Sequence, residues 1–226
     1  MEGLHPALLA SLDRLPDDRG VVLLTRHSIR EESRGGFAGY DVPLTPAGVA
    51  LARSWGAALR RPLHTVLSSP VGRCVDTAQA MVAGAAASVP VDRHHLLVEP
   101  GSFVHDLGAI GRLFLELGAL GFANRHLAGE LAEGVLSPEE GTARLIALVR
   151  SSIGPPGTMS LLVTHDTILA AVIHTLRAAR SIGEEEWPWM MEGAFVWFDD
   201  RQVCWLWRGE AGRRPLAGLG SDPVPT

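Results

Sequence analysis

The sequence contains no lysine, because every one of its 20 basic residues is arginine. Without lysine the chain cannot form a Schiff base, attach pyridoxal phosphate or use the lysine of a P-loop. Arginine is therefore the only strong side-chain ligand for phosphate or carboxylate groups. Basic residues are also outnumbered by acidic ones, and the resulting net charge of −5 argues against nucleic acid or an anionic membrane as a partner.

Cysteine is scarce as well. Cys74 and Cys204 lie far apart and form no C-x-x-C pair, so the sequence predicts neither a zinc site nor a disulfide framework and favours a reducing compartment. The N-terminus lacks a positively charged n-region, and the longest weakly polar run, residues 81–91, is too short to span a bilayer. We therefore expect a cytoplasmic protein that contacts no membrane.

The composition is that of a folded domain. The chain has 226 residues, of which 46% are apolar and 20% charged, enough for one domain with a full core. We assign this domain to residues 1–208, since residues 209–226 are rich in glycine and proline and predict an extended or disordered tail. Five of the six tryptophans lie at residues 187–207. They predict packing of this region on the core, with a subunit interface, and hence a homo-oligomer, as the alternative.

Short apolar strands alternate with helical segments along the chain. Strands are predicted at residues 21–25, 65–68, 91–98 and 159–164, and helices at 46–60, 69–83, 138–153 and 166–179, with two helical pieces inside 103–132 broken near Gly118 and Gly121. Residues 194–198 and 203–207 flank a polar turn, as in a β-hairpin. The pattern predicts an α/β fold, a three-layer α/β/α sandwich with a mainly parallel central sheet and a C-terminal hairpin.

Three predicted strand-to-helix junctions carry residues suited to chemistry. They are Arg26-His27-Ser28-Ile29-Arg30 after the first strand, Ser68-Ser69-Pro70-Val71-Gly72-Arg73 after the second, and His165-Asp166-Thr167 after the strand at 159–164. Ligands of open α/β sheets bind beyond the carboxyl ends of the strands. The sequence therefore predicts that three arginines, two histidines and an aspartate meet on one rim.

This set of side chains suits an anion. Arginine offers a rigid fork of donors to phosphate oxygens, and helix N-termini add backbone N–H groups. A neutral imidazole can attack phosphorus, a second histidine can stabilise the equatorial oxygens, and a carboxylic acid can protonate the leaving oxygen. Arg-His and His-Asp pairs also occur elsewhere, at Arg93-His94 and His105-Asp106, so the prediction depends on the order and position of the whole set.

Four ordered segments resemble the histidine phosphatase superfamily. Residues 26–30 are similar to its R-H-G-x-R signature, with Ser28 in place of glycine; residues 41–48 to its D-x-P-L-T-x-x-G segment; residues 68–78 to its S-S-x-x-x-R-x-x-x-T-A segment; and residues 164–166 to its second histidine motif. The resemblance covers about residues 21–99 and 158–180. It leaves residues 100–157 unmatched, the region in which family members differ and substrate choice is often set.

The resemblance implies a phosphoglycerate mutase-like fold and a role for each motif residue. It makes His27 the nucleophile, Arg26, Arg30 and Arg73 the phosphate clamp, and His165 the residue that completes the pocket. It implies no metal and no cofactor. The substrate it implies is a small phosphorylated metabolite.

Two residues compete for the role of proton donor. The R-H-x-x-R and His-Asp motifs are similar to the acid phosphatase and phytase branch, which implies Asp166. The chain length is closer to the phosphoglycerate mutase branch, whose donor is a glutamate after the third strand, which implies Glu99. Asp166 is preferred because it follows His165 directly on the predicted rim, although a helix N-terminus and nearby arginines favour its ionised form.

The predicted activity is that of a phosphomonoesterase working through a phosphohistidine at His27. One alternative is a phosphomutase, which returns the phosphoryl group to its substrate. The other is a regulatory protein that binds phosphate without turnover. The intact set of His27, His165 and three arginines argues against that last alternative, since a binding protein has no need of a nucleophile.

Overall fold

The structure, a computed structural model, describes residues 3–32 and 39–219. Its strands are β1 (Val21–Arg26), β2 (Leu63–Ser68), β3 (Val91–Arg93), β4 (Met159–Thr164), β5 (Gly193–Asp199), β6 (Gln202–Trp207) and β7 (Glu210–Pro215). Its helices are α1 (Pro6–Ser11), α2 (Pro46–Ala58), α3 (Gly72–Gly84), α4 (Leu107–Leu127), α5 (Pro138–Ser151) and α6 (Asp166–Leu176).

The strands form one sheet in the order β3-β2-β4-β1-β5-β6-β7. The four strands from β3 to β1 are parallel, whereas β5, β6 and β7 join by antiparallel pairing. The central strands β1 and β4 are buried along their whole length. Parallel strands covered on both faces read as continuous apolar runs, which is why these two stand out in the sequence.

Helices cover both faces of the sheet. On one face, α1, α2 and α3 pack against alternate residues of β1, such as Val21 and Leu23. On the other, α4, α5 and α6 pack against the intervening residues Val22 and Leu24. The predicted three-layer α/β/α sandwich is confirmed, and so is the C-terminal hairpin of β5 and β6.

Local signals at the helix ends agree with the predicted starts in two places. The Thr45 hydroxyl accepts a hydrogen bond from the N–H of Gly48, and Pro46 is the first residue of α2. Ser137 and Glu140 form the predicted capping box of α5. The break inside α4 lies at Gly118, whose φ of 67° is in the left-handed region that glycine adopts without strain.

Besides shifts of a few residues at helix ends, such as α6 ending at Leu176 instead of residue 179, the structure differs from the prediction in three places. The third strand stops at Arg93 instead of residue 98, because residues 95–97 form a 3-10 turn held by the His94 side chain. Helix α3 begins at Gly72 rather than at Ser69-Pro70. Residues 210–215, predicted as part of the tail, form β7 because their backbone pairs with β6, while residues 220–226 of that tail lie outside the described residues.

Among residues 3–32 and 39–219, no helix combines the length and the apolar character needed to cross a membrane.

Candidate active site

The carboxyl ends of β1, β2 and β4 lie side by side and bring the three predicted junctions together. Arg26, the last residue of β1, is in register with Thr164, the last residue of β4, and the N–H of His27 donates to the Thr164 carbonyl (3.0 Å). The rings of His27 and His165 are 5.7 Å apart, centroid to centroid, and meet edge to face. The two predicted catalytic histidines therefore face each other across one rim.

The hydrogen bonds of His27 define which ring nitrogen carries the lone pair. Its Nδ1 lies 2.8 Å from the carbonyl oxygen of Ser28, so Nδ1 must hold the proton. On the other side, Nε of Arg73 donates to Nε2 of His27 (3.1 Å). The lone pair of Nε2 thus points at the arginine that was predicted to bind phosphate.

His27 is neutral over the ordinary pH range. The side chain is only 3% exposed, and burial is the main reason that its pKa falls to about 3. The neighbouring charges of Arg26, His165 and Arg73 lower this pKa further, while the hydrogen bond to Ser28 opposes them. A neutral imidazole whose Nε2 is unprotonated is the form that can attack phosphorus.

His165 is held by Ser69, a residue of the second strand-to-helix junction. The Ser69 hydroxyl lies 2.9 Å from Nε2 of His165, and NH2 of Arg73 lies 3.5 Å from its Nδ1. Because guanidinium groups only donate, Nδ1 is the acceptor and Nε2 carries the proton toward Ser69. Burial, followed by the charge of Arg73, lowers the pKa of His165 to about 4. In the sequence, the serine pair of the S-S-x-x-x-R segment was the feature that could have indicated this contact of Ser69.

Arg26 is buried and is fixed at two of its three nitrogens. NH2 forms an ion pair with Asp166 (2.7 Å), and NH1 donates to the carbonyl of Pro188 (2.6 Å). Its Nε is buried without a hydrogen-bond partner in the described part of the chain. A buried donor without a partner is costly, so it marks a position that an anionic ligand can satisfy.

The other two predicted clamp residues complete the positive charge of the rim. Arg73 is buried, and its NH1 donates to the carbonyl of Gly39 (2.9 Å). Arg30 is half-buried and donates to the carbonyl of Glu31 (2.9 Å). Burial is the main reason that the pKa of Arg26 and that of Arg73 are lowered, and the charge of Arg30 lowers both further. The three guanidinium groups are therefore close enough to repel one another.

The loop of residues 27–30 that follows β1, named here the His27 loop, is hydrogen-bonded to helix α3, which carries Arg73. The N–H of Ser28 donates to the Thr77 hydroxyl (3.0 Å), and that hydroxyl donates to the carbonyl of Arg73 (2.7 Å). The Ser28 hydroxyl donates to the carbonyl of Gly48 (2.7 Å). Ser28 does not have a positive φ, so serine fits where the family pattern has glycine.

The two candidate proton donors have opposite electrostatic surroundings. Burial acts to raise the pKa of Asp166. The electrostatic effects of Arg26 and His27 and the hydrogen bond from the N–H of Thr167 outweigh burial, so the pKa of Asp166 is lowered. Burial raises the pKa of Glu99 to about 6, although its carboxylate accepts hydrogen bonds from the N–H groups of Phe103 (2.8 Å) and Val104 (2.9 Å). Of the two, Glu99 is the carboxyl group that holds a proton more readily.

Glu99 is joined to the rim through two consecutive residues. Gly39 accepts the hydrogen bond from Arg73, and the hydroxyl of the next residue, Tyr40, donates to the carbonyl of Glu99 (2.8 Å). The loop of Glu99 is thus linked to Arg73 through Gly39 and the side chain of Tyr40. Among the described residues, no group of three or more His, Cys, Asp or Glu side chains is arranged to hold a metal ion.

Two histidines and several arginines at the carboxyl ends of parallel strands are typical of enzymes that transfer phosphoryl groups through histidine. The sequence model of the histidine phosphatase superfamily (branch 1) matches residues 22–186. This match spans more than half of the chain, and the protein belongs to that superfamily. No curated protein sequence is similar enough to count as a match.

Solved structures of similar fold come from several organisms. Mycobacterial glucosyl-3-phosphoglycerate phosphatase, complexed with VO3, is 20% identical with a TM-score of 0.59, and the match covers 84% of this chain and 100% of that one. A mutant phosphoserine phosphatase from Entamoeba histolytica, in complex with phosphoserine, is 17% identical with a TM-score of 0.56, covering 85% and 94%. Phosphoglycerate mutase from Bacillus anthracis is 17% identical with a TM-score of 0.53, covering 90% and 97%. At these identities the likeness shows a shared fold.

Proposed function

We propose that this protein is a phosphomonoesterase that hydrolyses a small phosphorylated metabolite through a phosphohistidine on His27. The observation that carries the proposal is the neutral His27, whose Nε2 lone pair points at Arg73 and whose ring lies within the electrostatic influence of Arg26. The unpartnered Nε of Arg26 supports it, because a phosphate oxygen would satisfy this buried donor. Membership of a superfamily that contains phosphatases agrees with this chemistry.

The first half of the reaction forms the phosphoenzyme. The substrate phosphate takes the hydrogen bonds of Arg26 and Arg73, which frees Nε2 of His27 from its contact with Arg73. Nε2 then attacks phosphorus, the bond from phosphorus to the ester oxygen breaks, and the donor carboxyl protonates that oxygen as it leaves. Fixed positive charge stabilises the equatorial oxygens without reorganisation. In this step His165 and the three arginines face the phosphoryl oxygens.

The second half of the reaction returns the enzyme to its starting state. The carboxylate left by the first step takes a proton from water, the water oxygen attacks phosphorus, and the N–P bond to His27 breaks. The proton removed from water restores the carboxylic acid. Inorganic phosphate is the product, and transfer to a second substrate molecule instead of water would make the enzyme a phosphomutase.

We propose Glu99 as the proton donor, in preference to Asp166. A donor must be protonated when substrate binds, and burial raises the pKa of Glu99 to about 6. Asp166 is already committed to its ion pair with Arg26, which favours its charged form. In this assignment Asp166 orients Arg26 and balances its charge.

The activity is tested with p-nitrophenyl phosphate in the presence of EDTA. We expect nitrophenol and inorganic phosphate to be released in equal amounts, because arginines supply the positive charge that divalent ions supply in other phosphoryl-transfer sites. Vanadate should inhibit by resembling the five-coordinate transition state. Loss of activity in EDTA with recovery on adding magnesium or zinc would contradict the proposed mechanism. No release of nitrophenol at any pH would favour a binding protein without turnover.

The pH profile tests the assignment of Glu99. Because its raised pKa is about 6, the protonated donor is present below pH 6, and kcat/KM should fall as the pH rises above it. The measurement uses an alkyl phosphate such as glycerol phosphate, whose leaving group depends on the donor. In Glu99→Gln the alkaline limb should vanish along with most of the rate. If kcat/KM of Glu99→Gln still falls at alkaline pH, that fall reflects ionisation of the substrate or of another group, and Glu99 is not the donor.

A further inference from the structure

A connecting segment outside the sequence motifs contacts Arg26 and His27 at several points. This segment, residues 184–192, precedes β5. Its Pro188 carbonyl accepts from NH1 of Arg26 (2.6 Å), and its Glu192 carbonyl accepts from the N–H of Arg26 (2.8 Å). The N–H of Met191 donates to the carbonyl of His27 (3.0 Å). The conformation of the segment therefore decides where Arg26 and His27 lie.

A buried ion pair holds the 184–192 segment in shape. The Glu192 side chain is 1% exposed. Arg208 donates two hydrogen bonds to its carboxylate, from Nε to Oε1 (2.6 Å) and from NH2 to Oε2 (2.9 Å). The N–H of Trp189 donates to the same carboxylate (2.7 Å). Arg208 also donates to the carbonyls of Glu185 and Trp187. One guanidinium group thus binds the segment at both of its ends.

The backbone at Arg208 would suit a different residue. Arg208 and Gly209 form the two-residue turn between β6 and β7, and their φ values are 51° and 80°. Turns with two positive φ values prefer asparagine followed by glycine. The Arg208 guanidinium also lies over the ring of Trp207, 4.6 Å from its centroid. The contacts of the Arg208 side chain explain why arginine occupies a backbone position that disfavours it.

The charge of Glu192 also reaches Arg26 directly. Burial is the main influence on the pKa of Arg26 and lowers it, while the charges of Asp166 and Glu192 both act to raise it. Glu192 therefore stabilises the charged form of Arg26 as well as supporting its backbone. The Asp166 carboxylate contacts the Arg26 guanidinium at 2.7 Å, whereas the Glu192 carboxylate acts on it electrostatically from the 184–192 segment.

We propose that Glu192 and Arg208 are positioning residues for phosphoryl transfer, which act by fixing the main chain and the guanidinium group of Arg26 next to His27. This inference rests on the proposed function. The two residues act through Arg26, because the Pro188 carbonyl and the Glu192 main chain both contact Arg26. Substrate phosphate touches neither of them in this assignment.

The test is a double-mutant cycle between Arg208 and Arg26. Arg208→Lys keeps the charge but loses the planar fork, and it should lower kcat/KM for p-nitrophenyl phosphate by about tenfold and weaken binding of inorganic phosphate by a similar factor. Glu192→Gln, which keeps the shape of the side chain, should act in the same direction. In an Arg26→Lys background, Arg208→Lys should add less than about twofold, because the residue through which it acts is already altered.

A second ion pair on the same segment provides the matched control. Glu186 pairs with Arg177 (2.9 Å), and its side chain makes no bond to Arg26. Glu186→Gln should change kcat/KM by less than about twofold. A full tenfold loss of kcat/KM on adding Arg208→Lys to the Arg26→Lys enzyme would overturn the inference. So would an unchanged kcat/KM in both Arg208→Lys and Glu192→Gln, or a loss in Glu186→Gln as large as theirs. If the wild type shows no turnover, the proposed function fails, and the same cycle measured on phosphate affinity by calorimetry decides the inference.

Discussion

Replacing His27 by alanine is expected to lower kcat for p-nitrophenyl phosphate by about 10⁴-fold or more, the scale on which loss of a nucleophile acts in other enzymes. Of the two site histidines, His27 lies closer to Arg73: its Nε2 is 3.1 Å from Nε of Arg73, whereas Nδ1 of His165 is 3.5 Å from NH2. The proposed reaction has no first step without Nε2 of His27. Steady-state hydrolysis at the pH optimum of the wild type measures the effect.

Two controls separate a chemical defect from a folding defect. His64, an exposed residue near the start of β2 and thus at the far end of the strand from the site, should be replaceable by alanine with little change in rate. The His27→Ala protein should still bind inorganic phosphate, since Arg26, Arg30 and Arg73 remain. Retention of more than about a tenth of the wild-type kcat would show that another group attacks phosphorus.

Removing the proton donor is expected to slow an alkyl phosphate far more than an aryl phosphate. An alkoxide leaves poorly without a proton, whereas a nitrophenolate needs little help, so Glu99→Gln should cost about 10²-fold or more on glycerol phosphate and much less on p-nitrophenyl phosphate. The ratio of the two losses, measured as kcat under saturating substrate, is the diagnostic quantity. A change that only loosened the fold would affect both esters by the same factor.

Asp166→Asn is the matched comparison for Glu99→Gln. It removes the ion pair with Arg26, so it should slow both esters alike and raise KM. The reverse pattern, with selective loss in Asp166→Asn and equal loss in Glu99→Gln, would make Asp166 the donor. In that case the sequence-based preference for Asp166 would be correct, and the assignment of Glu99 from the pKa directions would be wrong.

The strand-to-helix junctions were predictable because their signals are local. The apolar runs of β1 and β4 and the Thr45-Pro46 start of α2 are readable from adjacent residues, and a parallel sheet necessarily brings its carboxyl ends to one edge. The placement of His27 and His165 opposite each other follows from these features. Residues 210–215 were harder to predict, because they form a strand by pairing with β6 and carry no apolar alternation of their own.

The surroundings of the site residues could not be predicted in the same way. The raised pKa of Glu99 depends on how deeply the loop of residues 99–104 is buried, and the role of Ser69 depends on the position of His165, 96 residues away. The support of Arg26 by Pro188, Glu192 and Arg208 joins three separate parts of the chain. Such contacts are set by tertiary packing, which no local pattern encodes.

The most direct test of the account is to trap the phosphoenzyme. Wild-type protein is mixed with substrate labelled in the phosphoryl group, quenched within one turnover in alkali, and examined for bound label. The label should be stable in base and released by acid, as a phosphoramidate is, and peptide mapping should place it on His27. It should be absent from His27→Ala. A label that resists acid, or that persists in His27→Ala, would contradict the assignment of His27 as the nucleophile.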